Sequence, residues 1–147
     1  DLVWPYVGLG RFYAGQGLYA QAESWYAPCL VIARERLGDE HPSVASSLNN
    51  LALLYYNQGR YAEAEPLYQA ALAMYKRLLG DEHPSVASSL FNLGTLRYQQ
   101  KHFESANELL SEALPIYMRT LGKNHPNTQA LQSWIEAVHV KITEAQA

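Results

Sequence analysis

A twelve-residue segment that occurs twice constrains this chain more than any other feature. The sequence LGDEHPSVASSL begins at Leu37 and again 42 residues later at Leu79. A degraded third copy, LGKNHPNTQAL, begins at Leu121, so the His-Pro pair keeps one phase throughout. A fixed period of about 20–50 residues is typical of repeat arrays, in which each unit buries its apolar face on its neighbour. The chain is therefore predicted to be a stack of similar units.

Each unit divides into two stretches with apolar residues at helical spacing. In the second repeat, Gly59 separates stripes formed by Leu48, Leu51, Ala52 and Tyr55 and then by Tyr61, Ala64, Tyr68, Ala71, Leu72 and Tyr75. Gly80 suits a helix end, and Pro84 suits the first turn of the next helix. This pattern predicts an all-α fold of three helical hairpins, at about residues 1–37, 42–79 and 84–121.

The phase predicts seven helices, with centres near residues 10, 28, 50, 70, 92, 112 and 135. The last has an apolar face formed by Leu131, Ile135, Val138 and Ile142. Gln132, Glu136 and His139 are polar where complete repeats face a second helix. We therefore predict a solvated capping helix at about residues 126–143, which completes a single repeat domain over residues 1–147.

The second repeat resembles a known family. LNNLALLYYNQGRYAEAEPLYQAAL, from Leu48 to Leu72, resembles a tetratricopeptide repeat, and the 42-residue period with LGDEHP linkers resembles the kinesin-light-chain subtype. The resemblance implies a right-handed α-solenoid whose first helices line a concave groove, in a protein that acts as an interaction module. This chain departs from the pattern in two ways. Arg97 of the third repeat occupies the position that Tyr55 has in the second repeat. Pro28 and Pro115 lie inside second helices and are expected to kink them.

The first helices carry few charges on the face opposite their apolar stripe. From Pro42 to Gly59 there is no charged residue, and from Pro84 to Gln100 there is only Arg97. Carboxamides both donate and accept hydrogen bonds, so this face could hold the main chain of an extended peptide. The resemblance implies that Asn50 and Asn92 contact such a peptide. The predicted peptide-binding residues are Arg11, Ser46, Asn49, Asn50, Leu53, Asn57, Ser88, Asn92, Thr95, Gln99 and Trp134, with Tyr56, Phe91 and Tyr98 as possible pocket walls.

Two functions fit this pattern. The first is a module that binds an extended peptide or a segment of a partner protein in the groove. The alternative is a structural or self-associating scaffold without a ligand of its own, in which the groove residues only solvate the surface or contact neighbouring repeats. Homo-association would then use the first repeat, where Phe12 stands at the position of Leu54 and should lie partly bare together with Leu2 and Val3.

Other functional classes receive little support. The Asp-Glu-His linkers at His41 and His83 become Lys-Asn-His at His125, which indicates helix-start residues and not metal ligands or catalytic groups. We therefore predict no enzyme activity, no metal and no cofactor. A net charge of -3 argues against nucleic-acid and anionic-membrane partners. No apolar run reaches the length of a membrane span, no signal peptide opens the chain, and the single Cys29 fits a reducing compartment, so the cytoplasm is expected.

Overall fold

The computed structural model describes residues 4–147, which form seven α-helices and no strand. Their bounds are α1 Trp4–Gly15, α2 Tyr19–Leu37, α3 Pro42–Asn57, α4 Tyr61–Leu79, α5 Pro84–Gln99, α6 Phe103–Thr120 and α7 Pro126–Gln146. Each helix is centred within one residue of its predicted position, and α7 runs three residues beyond its predicted end. The predicted all-α fold of three hairpins and a capping helix is therefore confirmed. The helices fall into two compact units, one ending at Leu78 and the other formed by Leu79–Ala147.

The histidine of each linker caps the helix that follows it. In His41, His83 and His125, the Nδ1 atom accepts a hydrogen bond from the backbone N–H two residues later, at 3.1, 3.0 and 3.1 Å. The next residue is always proline, which has no N–H to leave unpaired in the first helical turn. The prediction that these histidines are helix-start residues is confirmed, and the cap occupies the Nδ1 lone pair.

The acidic residues of the linkers have structural partners. Arg77, near the end of α4, donates to Glu40 of the linker before α3, with an Nη2–Oε2 distance of 2.6 Å. One period later, Arg119 of α6 pairs with Glu82 in the same way. Such exposed ion pairs are individually weak, but both connect the two ends of one hairpin. Glu40 and Glu82 thus have a structural role in their hairpins.

In the first unit, α2 packs between α1 and α3. Ala22 and Tyr26 of α2 share a buried cluster with Leu51 and Leu54 of α3. On the other side, a Cβ atom at Gly10 of α1 would lie only 2.5 Å from the Tyr26 ring, so the ring fills the space above the glycine. The aromatic residues and the small residues on these helices therefore set how closely the helices approach.

A polar contact joins the first two repeats beside this cluster. The Tyr55 hydroxyl donates to Glu23 at 2.9 Å, and the Arg60 guanidinium donates to the other oxygen of Glu23 at 3.3 Å. The same guanidinium lies 4.1 Å from the centre of the Tyr55 ring. Burial and the bond to Glu23 both raise the pKa of Tyr55, so the hydroxyl stays protonated and keeps donating.

In the second unit, α6 packs between α5 and α7. Gly94 of α5 lies against Leu110 of α6, where a Cβ atom would come within 2.7 Å of the leucine side chain. On α7, Leu131 and Val138 are fully buried, Gln132 is half-buried, and Glu136 and His139 are exposed. Ile135 and Ile142 of the predicted apolar stripe are half-buried, so the stripe is buried most fully at Leu131 and Val138, and the predicted polar face is exposed at Glu136 and His139 but not at Gln132.

The second helices run through their prolines. α2 contains Pro28 and α6 contains Pro115, as the sequence indicated, and α4 contains a third, Pro66, that the sequence analysis did not single out. Helical assignment continues on both sides of each proline. The flanking helical hydrogen bonds and the packed face therefore outweigh the one backbone donor that each proline removes.

Alanine substitutions at two glycines of α1 allow the effect of helix propensity on stability to be measured apart from the effect of packing. At Gly8, an added Cβ atom would meet nothing within 4 Å, so Gly8→Ala should stabilise the fold by about 0.5–1 kcal/mol. At Gly10, the same methyl group would overlap the Tyr26 ring, so Gly10→Ala should destabilise the fold by about 1–3 kcal/mol. Urea denaturation followed by circular dichroism measures both values. Equal effects of the two substitutions would contradict the close approach of α1 and α2.

Removing the cap of α5 tests the role of the linker histidines. His83→Ala should lower the free energy of unfolding by about 1 kcal/mol, because the Ser85 N–H loses its acceptor. His83→Asn should retain most of the stability, because asparagine is a good N-cap. The comparison uses urea denaturation of the three proteins, with and without added zinc. A zinc-dependent rise in stability that His83→Ala abolishes would show that the histidine is a metal ligand instead.

Candidate functional site

The predicted binding residues of the first unit lie on one accessible face of α3. Ser46, Leu53 and Asn57 are exposed, and Asn49 and Asn50 are half-buried. This face is opposite the buried residues Val44, Leu48, Leu51 and Leu54. It offers carboxamides and one exposed leucine without a formal charge, as the sequence indicated. Arg11 is exposed on α1, in the same unit.

Two of the predicted residues, Ser46 and Ser88, also hold their own hairpins together. The Ser88 hydroxyl lies 2.8 Å from the Tyr117 hydroxyl and donates to the Pro84 carbonyl of its own helix at 3.1 Å. Ser46 forms the equivalent hydrogen bond with Tyr75, which partly opposes the rise that burial causes in the pKa of Tyr75. The sequence contains the signal for this pair, because Ser46 and Tyr75 recur together one period later.

Besides Ser88, the predicted residues on α5 of the second unit are Asn92, Thr95 and Gln99. The Thr95 hydroxyl donates to the Asn92 carbonyl of the same helix at 2.8 Å, so its hydrogen is used within α5 and the oxygen can act only as an acceptor towards a ligand. Asn92 is half-buried, Gln99 is exposed, and both take part in contacts of their own. These side chains form a hydrogen-bonding strip along α5.

An aromatic pocket lies between α5 and α7 in the second unit. Tyr98 and Trp134 meet edge to face, with ring centres 5.2 Å apart and planes 82° apart. The Phe103 ring also contacts the Tyr98 ring, with ring centres 5.4 Å apart. Ser133 and Ala137, one turn apart on α7, complete the lining of an open cavity of about 280 Å³. Tyr98, Trp134 and Ala137 are only half-buried, so the pocket remains open to a ligand.

The pocket has apolar walls and a few polar groups. The polar groups include the Tyr98 hydroxyl and the Trp134 indole N–H, and such groups usually have a hydrogen-bond partner when they are buried. Lys141 lies near Tyr98, and its hydrogen bond to Glu144 at 2.8 Å raises the pKa of the lysine. The ammonium group is therefore charged and paired beside the pocket. From the sequence, Trp134 was predicted as a binding residue and Tyr98 only as a pocket wall, because the contact between them depends on how α5 and α7 pack.

A second cavity, of about 450 Å³, lies at the carboxyl end of α7 and is lined by His139, Val140, Thr143, Glu144 and Ala147. It is larger than the aromatic pocket, but all of its lining comes from the last turns of one helix. Within residues 4–147, no second element contributes to its lining. The Tyr98–Trp134 pocket, which two packed helices define, is the better candidate for specific binding.

The described residues offer little support for other chemistry. Among residues 4–147, no three His, Cys, Asp or Glu side chains are grouped closely enough to hold a metal ion. Cys29 is buried and donates to the Trp25 carbonyl at 3.2 Å, and burial raises the pKa of its thiol, as in an unreactive structural cysteine. In the same part of the chain, no helix has the length and hydrophobicity needed to cross a membrane.

Comparison with known proteins places these hairpins in a family. The family model described as "Tetratricopeptide repeat" matches residues 1–77 and 43–119. No curated protein matches the chain. Among solved structures, BtubC (BKLC) from P. vanneervenii is similar with a TM-score of 0.87 and 28% identity. That match covers 99% of this chain and 58% of the BtubC chain, so this chain spans little more than half of that protein's length.

A second similar structure is the putative kinesin light chain of Podosopora anserina with nearly identical TPR-like repeats. It has a TM-score of 0.88 and 27% identity, over 98% of this chain and 68% of that one. A substituted form of the same protein gives the same values. Tetratricopeptide repeats are generally protein–protein interaction modules and non-enzymatic scaffolds. With matches that extend from residue 1 to residue 119, the chain belongs to the tetratricopeptide repeat family and is kinesin-light-chain-like.

Proposed function

We propose that this chain binds an extended segment of a partner protein along the exposed faces of its first helices. The observation that carries the proposal is the Tyr98–Trp134 pocket. Two large aromatic rings lie half-exposed around this open cavity, and aromatic rings are typical anchors at protein interfaces. The polar strip formed by Asn92, Thr95 and Gln99 lies on α5, the helix that also carries Tyr98.

The pocket and the strip have complementary roles in this proposal. The pocket takes an uncharged side chain of the partner, because its walls are apolar and the charge beside it, on Lys141, is already paired with Glu144. The carboxamides of Asn92 and Gln99 bind the partner's main chain, which in an extended conformation has free N–H and C=O groups. The side-chain anchor supplies affinity, and the main-chain contacts fix the register.

The face of α3 binds in the same manner in the first unit. Asn49, Asn50 and Asn57 supply carboxamides, and the exposed Leu53 supplies an apolar contact. Arg11 adds positive charge on α1 and favours a partner with some acidic character. Ser46 and Ser88 have a secondary part, because their hydroxyl groups already bond to Tyr75 and Tyr117. The partner is a polypeptide, with no role for nucleic acid or membrane.

The cytoplasm is the proposed location. Cys29 is a free, buried thiol, which a reducing compartment preserves. A scaffold role is the alternative function, and the exposed apolar residues of α1 favour it, since Phe12 is largely bare as the sequence predicted. Leu2 and Val3, which were expected to share that surface, lie outside the described residues.

Replacing the aromatic anchor tests the proposed function. Peptides are first selected from a random library on the immobilised chain, and their dissociation constants are then measured by calorimetry. Trp134→Ala should weaken binding by about 2 kcal/mol or more, the effect typical of an aromatic anchor. Trp134→Phe should retain part of the affinity, because it keeps a ring beside Tyr98.

Met118→Ala is the matched control, because Met118 is an exposed apolar residue on the second helix of the same unit. It should leave binding unchanged, and circular dichroism should show that all three variants are folded. If Trp134→Ala and Met118→Ala bind alike, the pocket is not the anchor site. If no library peptide binds the wild-type chain, the scaffold role is favoured over peptide binding.

A further inference from the structure

Five uncharged residues on one side of α1 are exposed. Pro5, Gly8, Leu9, Phe12 and Gly15 fall on the same side of the helix at helical spacing, and the structure exposes all five. Phe12 is 59% exposed, more than any other large apolar side chain in the described part of the chain, and Leu9 is 38% exposed. These five residues are called the α1 face. Contiguous apolar surface of this kind marks interaction sites.

The α1 face has a protruding ring beside two hollows. Gly8 lies one helical turn before Phe12, and Gly15 lies about one turn after it. A Cβ atom added at either glycine would meet nothing within 4 Å, so both positions are open to another molecule. A glycine also lets a neighbouring group approach the helix backbone closely. One short helix therefore carries both a large ring and the recesses that such a ring can fill.

A surface with both features is complementary to itself under a two-fold rotation. In an isologous dimer, each copy presents the same patch to the other. If two α1 helices pack antiparallel with Phe12 over Gly8 of the other copy, the two-fold axis passes at the level of residue 10, close to the middle of α1. The same register places Pro5 over Gly15 of the other copy. Both protruding side chains then meet a hollow, and the two helices overlap along almost their whole length.

The charge of α1 gives this arrangement a distinctive salt dependence. Arg11 is the only charged residue between Trp4 and Gly15, and it is exposed at the edge of the α1 face. The two-fold axis brings Arg11 of both copies to the same edge, where the two guanidinium groups repel each other. Salt screens repulsion between exposed charges. Dimerisation should therefore become tighter as salt is added, whereas an interface between oppositely charged surfaces would weaken.

We propose that the α1 face pairs with the α1 face of a second copy of this chain in an antiparallel, two-fold symmetric dimer. One 12-residue helix per copy buries less than the roughly 1,200 Å² at which standard specific interfaces begin. The dimer is therefore weak and reversible, with a dissociation constant in the micromolar range or above. It forms without a peptide ligand, so it does not rest on the proposed function.

Sedimentation equilibrium of the 147-residue chain, without ligand and over a range of protein concentrations, measures the dissociation constant of the dimer. Phe12→Ser should weaken the dimer about tenfold or more, because it removes the ring that fills the hollow. Val31→Ser is the matched control, because Val31 is 54% exposed but lies on α2. It should leave the dissociation constant unchanged. Circular dichroism should show that both variants are folded.

Two further variants separate dimerisation from folding. Gly8→Ala places a methyl group in the hollow, so it should weaken the dimer severalfold although it should stabilise the fold of each copy. Arg11→Gln should tighten the dimer at low salt and remove most of its salt dependence, because it removes the repelling charges. A general loss of structure would not produce these opposite effects on stability and association.

Three results would overturn the proposal. The first is a chain that stays monomeric at every protein concentration, both at low salt and in added sodium chloride. The second is a dimer that Phe12→Ser and Val31→Ser weaken equally, which would place the contact away from the α1 face. The third is growth beyond the dimer, or a dimer that added salt weakens. Either of those would mean that α1 binds a different surface of the second copy and not another α1 face.

Discussion

In both units, the fold depends on the close approach of a second helix to the first helices on its two sides. In the first unit, the Tyr26 ring lies directly above Gly10 on one side and contacts the Leu51–Leu54 surface on the other. This packing requires small residues at fixed positions, and the chain places glycine or alanine there at Gly10, Ala52 and Gly94. A hairpin that cannot bury both sides exposes apolar surface, which is why repeat proteins are stacks.

The polar residues of the repeat hold this packing in register. The linker histidine caps the next helix, the linker glutamate pairs with an arginine near the end of the hairpin, and a serine–tyrosine bond joins the two helices. These contacts use the polar residues of the linkers and of the hairpin interior, and Ser46 and Ser88 of the outward face take part in them. Asn49, Asn92 and Gln99 of that face make contacts of their own, so under the proposed function a partner binds beside those contacts or in exchange for them.

Periodicity made the fold predictable, but the site only in part. A 42-residue phase fixes helix centres, caps and buried stripes, because these depend on local spacing. The sequence also placed Trp134 and the asparagines on accessible faces. It did not show that Ser88 bonds to Tyr117, or that Tyr98 meets Trp134, because both contacts join residues at least 29 positions apart and depend on how two helices pack.

If the first helices, and not the second, present the binding surface, nuclear magnetic resonance mapping of the isotope-labelled chain with a selected peptide should locate the contact on them. We expect backbone shift changes to cluster on α3, α5 and the Trp134 region of α7, while the exposed sides of α4 and α6 stay unchanged. Changes concentrated on α4 and α6, around exposed residues such as Gln69 and Met118, would contradict it.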